Sequence, residues 1–152
     1  MRSPTLFEIR VALETKLFAT LQPFFNAGDV IIIQPGEELK PDLNKIQVIH
    51  SVNPGMVQSI ELGGRQGVCR RGGEYVVTLS CPNDTTRLSQ AWKLLSVIES
   101  KFYRVDLPVT DADSDVMCDE PYTTDVGKTD DNRLALSVSI SWWVWAGGYE
   151  GE

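Results

Sequence analysis

From Arg133 to Gly148 the chain reads RLALSVSISWWVWAGG, with Leu134, Leu136, Val138, Ile140 and Trp142 at every second position. Successive side chains of an extended strand point to opposite faces, so this period predicts a half-buried β-strand. The other parity carries Ala135, Ser137, Ser139 and Ser141, followed by Trp143 and Trp145. That face is thinly covered at one end and aromatic at the other. It suits water, or a protein surface that needs close approach.

In the opening stretch MRSPTLFEIRVALETKLFATLQPFF the spacing changes to threes and fours. Leu6, Ile9, Leu13, Leu17 and Leu21 form one stripe of an amphipathic helix, with Ser3 and Pro4 as the expected N-cap and first-turn pair and Pro23 as the expected end. A second helix is predicted over Thr85 to Tyr103, capped by Asp84. Leu88, Ala91, Leu95, Ile98 and Phe102 form its buried stripe, and Trp92 and Leu94 widen it.

Between the helices, VIIIQ (Val30 to Gln34) reads as a short buried strand bounded by turn residues. Gln47 to Val52 and Val57 to Leu62 read as two strands of a hairpin turning at Asn53-Pro54-Gly55. The alternating EYVVTLSCP is a further strand, closed by Pro82-Asn83-Asp84. Beyond the second helix come an acidic connector (RVDLPVTDADSD), a short strand (VMCDEP), a polar turn region (TTDVGKTDDN) and the final strand. Short polar turns join antiparallel neighbours, and two single-stripe helices need a common surface to cover. The expected fold is α+β: a mostly antiparallel mixed β-sheet with two amphipathic helices packed on one face, as a single domain over 1–152.

Composition leaves this picture unchanged and narrows the chemistry. A chain of 152 residues fits one core, and 42% hydrophobic with 23% charged residues is ordinary for a globular protein. The formal charge of −7, from 14 basic and 21 acidic residues, disfavours a grip on phosphate backbones. A conduit past which DNA slides without sticking tolerates that balance. No N-terminal segment has the pattern of a signal peptide and the apolar runs are too short to span a bilayer, so the expectation is an intracellular product with no membrane partner.

Candidate chemistry is sparse. Cys69, Cys81 and Cys118 have neither CxxC spacing nor histidines nearby, which argues against a disulfide framework or structural zinc. The sole histidine, His50, lies in an apolar run and reads as a strand residue before it reads as a base. Asp111, Asp113 and Asp115 have the first carboxylate spacings of a calcium loop, but Val116 and Tyr122 stand where that loop needs Gly and Glu. Gly63-Gly64 and Gly72-Gly73 lack the ending and the strand-loop-helix context of a phosphate loop and read as hairpin ends. No catalytic, metal or cofactor-binding residues are assigned. The segment RQGVCRRGG carries Arg65, Arg70 and Arg71, read as protein-interface residues, with a small anion site or a solvated tip as alternatives. Trp142 shares the apolar parity and reads as core. Trp143 and Trp145 read as interface residues, unless a neighbouring loop or the terminal GGYEGE covers them.

Taken together, FEIRVALETKL, GEYVVTLSCPND, TTRLSQAWKLLSVIESKF and RLALSVSISWWVW, in that order along nearly the whole chain, resemble the tail terminator proteins of long-tailed, lambda-like bacteriophages. The resemblance implies a non-enzymatic virion protein that caps the growing tail tube as a homo-hexameric ring, stops tube polymerisation and offers a surface for joining the head. Its implied partners are further copies of itself, the tail tube protein and a head-completion or neck protein, with DNA passing through the ring unbound. The implied location is the virion tail, assembled in the host bacterial cytoplasm. Ring closure needs a heterologous contact between two different patches. The rival readings are another head-tail connector or tail tube protein, and a small ligand-binding or hydrolytic domain using His50 with a nearby carboxylate.

Overall fold

Helix α1 (Leu6–Asn26) starts at Thr5 rather than at the expected Ser3-Pro4 pair. The Glu8 backbone N–H donates to Thr5 Oγ1 at 3.1 Å, and the Thr5 N–H donates back to Glu8 Oε1 at 3.1 Å. This reciprocal capping box satisfies two donors that a helix start leaves open. Arg2 clamps the same carboxylate through Nη2, at 3.0 and 2.8 Å, and holds Glu8 below its ordinary pKa, with the Thr5 N–H contributing next. At the other end α1 continues past Pro23 to Asn26. A proline in the last turn removes one hydrogen bond, and Leu21 in the core and Phe24 against it hold the helix there.

The computed structural model describes residues 2–26, 30–33, 45–59, 69–128 and 132–146. After α1 come β1 (Val30–Ile33), β2 (Ile46–Ser59), β3 (Cys69–Pro82), α2 (Thr85–Phe102), β4 (Asp106–Leu107), β5 (Val116–Cys118), β6 (Tyr122–Lys128) and β7 (Arg133–Ala146). The seven strands form one sheet in the order β1-β2-β3-β7-β5-β4, and β6 also pairs with β7. Among the described strands only β1 and β2 run parallel, with Val30 opposite Ile46. The other pairings are antiparallel. The fold is therefore α+β with a mixed, mostly antiparallel sheet, as the periodicity predicts. β7 is its hub: β3 lies along one edge, and β6 and β5 share the other.

Both helices cover the same side of this sheet. Ile9, Leu13, Leu17 and Leu21 of α1 and Ala91, Leu94, Leu95, Ile98 and Phe102 of α2 share one buried cluster with Val48, Tyr75, Val77, Leu79, Val138, Ile140, Trp142 and Val144. Each fully buried aliphatic side chain contributes about 1.5–3 kcal/mol. Asp84 caps α2 as expected, accepting from the Arg87 N–H at 3.3 Å. Two expected stripe residues fall outside the core. Leu6 is exposed at the first position of α1, and Trp92 is 45% exposed. At 3.6 residues per turn Trp92 lies about 100° round from Ala91, beyond the buried arc.

Two expected turns are strands instead. Asn53-Pro54-Gly55 does not reverse the chain, because β2 runs through it and stays paired with β3. The register slips between Pro54, opposite Gly73, and Val57, opposite Arg71. The extra residue is absorbed as a bulge, a place where a strand tolerates proline. Likewise most of the polar stretch TTDVGKTDDN forms β6 and pairs with β7. Its register shifts between Asp125 and Gly127, where Gly127 has a φ of 92° that favours glycine. Among the described residues, no helix is long and apolar enough to cross a membrane.

Candidate protein-interaction face

The sheet side away from the helices is built from the second parity of β7. Ser137, Ser139, Ser141, Trp143 and Trp145 alternate with the core residues, and the register sets Thr78, Val76, Glu74, Gly72 and Arg70 of β3 opposite them. The small end is knit to itself. Thr78 Oγ1 and Ser137 Oγ share a hydrogen bond of 2.8 Å. Arg133, buried at the start of β7, donates from Nε to Ser80 Oγ at 2.8 Å and from Nη2 to the Lys45 and Ser80 carbonyls at 2.8 and 2.9 Å. Nothing in the sequence pattern marks Arg133 as a clamp, because its partners come from distant segments.

At the other end Arg70 faces Trp145 in register and lies diagonal to Trp143. Its guanidinium sits 4.3 Å from the centroid of the Trp143 ring, and Trp143 meets Trp145 edge to face at 5.1 Å. Asp119 closes the group: Trp143 Nε1–H donates to its Oδ1 at 3.3 Å, and Arg70 Nη2 lies 3.7 Å from its Oδ2. The Trp145 backbone N–H donates to Ser114 Oγ at 3.0 Å. A cation over an indole face is attracted by the ring quadrupole, and Trp and Arg are the residue types that dominate binding hot spots. Trp145 and Arg70 remain partly open to solvent at this end, and exposed Tyr122 lies farther along, opposite Ser139.

The expected arginine cluster is divided. Cys69 to Gly73 are strand, not hairpin end, so Arg70 and Arg71 point to opposite faces. Arg71 lies opposite Val144 on the core side, where its Nε is buried without a hydrogen-bond partner. Arg65 and Gly63-Gly64 lie outside the described residues. The Gly72-Gly73 pair has a packing role instead. A Cβ on Gly73 would come within 2.6 Å of Trp142 Cζ2 and 2.2 Å of the Asn53 carbonyl oxygen, so the bare backbone lets the Trp142 ring lie against it. Trp142 is buried, as its parity predicts.

His50 is buried in the core beneath α1. Its Nδ1 lies 3.0 Å from Tyr75 Oη and 3.9 Å from Glu14 Oε1, and its ring meets Phe18 edge to face at 5.7 Å. Burial lowers the imidazole pKa, Glu14 pulls it back up, and Arg10 lowers it again. Burial likewise raises the Tyr75 phenol, with Glu14 adding to the rise. A carboxylate does stand near the buried His50, and the contacts of its Nδ1 join β2 to Tyr75 of β3 and Glu14 of α1, while its Nε2 is buried without a hydrogen-bond partner. The cysteines are buried free thiols, and Cys118 is pushed up to about 12 by burial, then by Asp119 and Asp106. Such thiols are poor nucleophiles. In the acidic turn Asp113 accepts the Arg2 N–H at 2.6 Å, which ties the turn to the start of the chain. Among the described residues no cluster of three or more His, Cys, Asp or Glu is placed to hold a metal ion.

No protein-family model matches this chain, and no curated protein matches it.

Proposed function

We propose that this chain works through its surface, as the subunit of a ring that caps a bacteriophage tail tube. The observation that carries the reading is the sheet face ending in Arg70, Trp143 and Trp145, which neither helix covers. Aromatic and cationic side chains are gathered there on a rigid strand pair, and rigid anchors bind at low entropic cost. The tail terminator resemblance in the sequence supplies the assembly, and the net charge of −7 suits a passage for DNA. The face would meet the tube or the neighbouring subunit, and head joining would use the other end of the ring.

The test is light scattering with negative-stain electron microscopy across protein concentration, with and without magnesium, followed by binding to purified tail tubes. Rings of six 16.9 kDa chains, or capping of tube ends, is the expected result. A monomer that also ignores tube ends sinks the reading. Copy number per virion separates it from a tail tube subunit, which coats the full tail instead of forming one ring.

A further inference from the structure

Arg71 and Trp142 lie on the helix side of the sheet, away from the interaction face. Arg71 is opposite Val144 and Gly73 is opposite Trp142, so the two side chains are diagonal neighbours on adjacent strands. Trp142 is 1% exposed, and its Nε1–H is buried without a hydrogen-bond partner. Arg71 Nε is buried without one too, and among the described residues Arg71 makes no ion pair.

The indole edge that carries the N–H leans onto β3. A Cβ on Gly73 would come within 2.6 Å of Trp142 Cζ2, and Cζ2 and Nε1 are both bonded to the same ring carbon, Cε2. Gly73 is bare, so no β3 side chain stands between that edge and Arg71, the next residue of β3 on this face. What the pair lacks is an acceptor. Cys69, Val116, Cys118, Val144 and Ala146 share this side of the sheet, all of them buried, and none offers a carboxylate. Asp119 serves the opposite face, with Arg70 and Trp143. Two buried donors, one of them on a cation, have given up water and gained nothing in return.

We infer that Arg71 and Trp142 form a binding site for a short carboxylate ion. The Nε side of the guanidinium fork matches the two oxygens, and lone pairs remain to accept from the Trp142 N–H. A neutral acceptor would satisfy the indole and leave the guanidinium without a counter-charge. A phosphate would bring further negative charge to a single cation on a chain of net −7. Arg71 is only half-buried, so the ion enters from its side, and the crowding over Gly73 admits a short acid rather than a bulky one. The site stands apart from the Arg70, Trp143 and Trp145 platform, and it holds whether or not the chain forms a ring.

The test adds sodium acetate to the full chain carrying isotope-labelled tryptophan, with ionic strength held constant by sodium chloride, and follows the indole N–H signals by NMR. The chain has four tryptophans, and Trp142→Phe identifies the signal that belongs to Trp142. That signal should move saturably with acetate while the other three stay in place. Arg71→Lys keeps the charge without the fork and Arg71→Gln loses both. Each should weaken acetate binding about tenfold or more, the value of a hydrogen bond to a charged group, with circular dichroism verifying that both variants fold. A signal that acetate leaves unmoved, or an acetate response unchanged in both Arg71 variants, overturns the site. Equal movement with chloride or sulfate means an adventitious ion only and overturns it as well. Movement with protein concentration but not with acetate assigns the donors to a side chain of a second copy and overturns the free-ion site.

Discussion

The Arg70 guanidinium reaches diagonally across the β3–β7 pair to lie 4.3 Å from the Trp143 ring, whereas its chain neighbour Arg71 faces the core side opposite Val144. The two residues therefore separate surface from stability. Arg70→Glu should cost only about 0.5–1 kcal/mol, the value of an exposed cation–π contact, while weakening assembly or tube binding. Arg71→Glu should do the reverse and cost more than about 1 kcal/mol, because it sets a carboxylate near apolar Val144. Urea unfolding and light scattering on both variants check this. Equal effects of the two on stability would show that strand parity does not divide them.

Gly73→Ala is expected to destabilise the fold by about 1–3 kcal/mol, the range for overpacking. The added methyl group meets the Trp142 ring and the Asn53 carbonyl. Intrinsic tryptophan fluorescence during urea unfolding reads both the stability and any displaced indole. A neutral result would mean that both the Trp142 ring and the β2 backbone at Asn53 can move aside.

Thr5→Ala should remove about 1 kcal/mol by opening the capping box, while Thr5→Ser, which keeps the hydroxyl, should lose less than half of that. Thermal melts of the two variants check this. Equal losses would show that the Thr5 hydroxyl is not the cap.

Stability should fall as the medium is acidified below about pH 6.5, because folding lowers the His50 pKa and the unfolded chain then binds the proton more readily. The contribution is complete above the unfolded pKa and is lost on the way down, by at most about 1.4 kcal/mol per pH unit for one proton. Glu8, whose pKa is also lowered, loses its contribution only in the carboxylate range below. Urea titrations at pH 7.5, 6.5 and 5.5 should show this slope in wild type and a flatter one in His50→Gln. An unchanged slope in the variant would assign the effect to other groups.

Strong periodicity made the main elements legible. The alternation of β7, the leucine stripe of α1 and the Asp84 cap each follow from local chemistry, and Trp142 falls in the core on parity alone. What remained hidden depends on pairing. Asn53-Pro54-Gly55 carries turn chemistry, yet a long partner strand holds it extended as a bulge. The polar β6 is a strand because β7 has an open edge to fill. For the site, Trp143, Trp145 and Arg70 could be singled out by residue type, but only the β3–β7 register shows that they meet and that Arg71 does not join them. Asp119 and Ser114 were invisible as partners, since the β5 crossing brings them to β7.

The position of β7 between β3 and the β5–β6 edge has a consequence for the emerging polypeptide. It follows every other described strand in chain order, so a ribosome releases both helices and β1 to β6 before the strand that joins the two halves of the sheet. Until then Tyr75, Val77 and Leu79 lack their cross-strand neighbours Ile140, Val138 and Leu136. Pairings this distant in sequence form slowly, because a long loop must close first. The same docking event brings Trp143 under Arg70. A nascent or truncated chain thus lacks the aromatic platform as well as its core, and only a subunit whose folding has finished can display it.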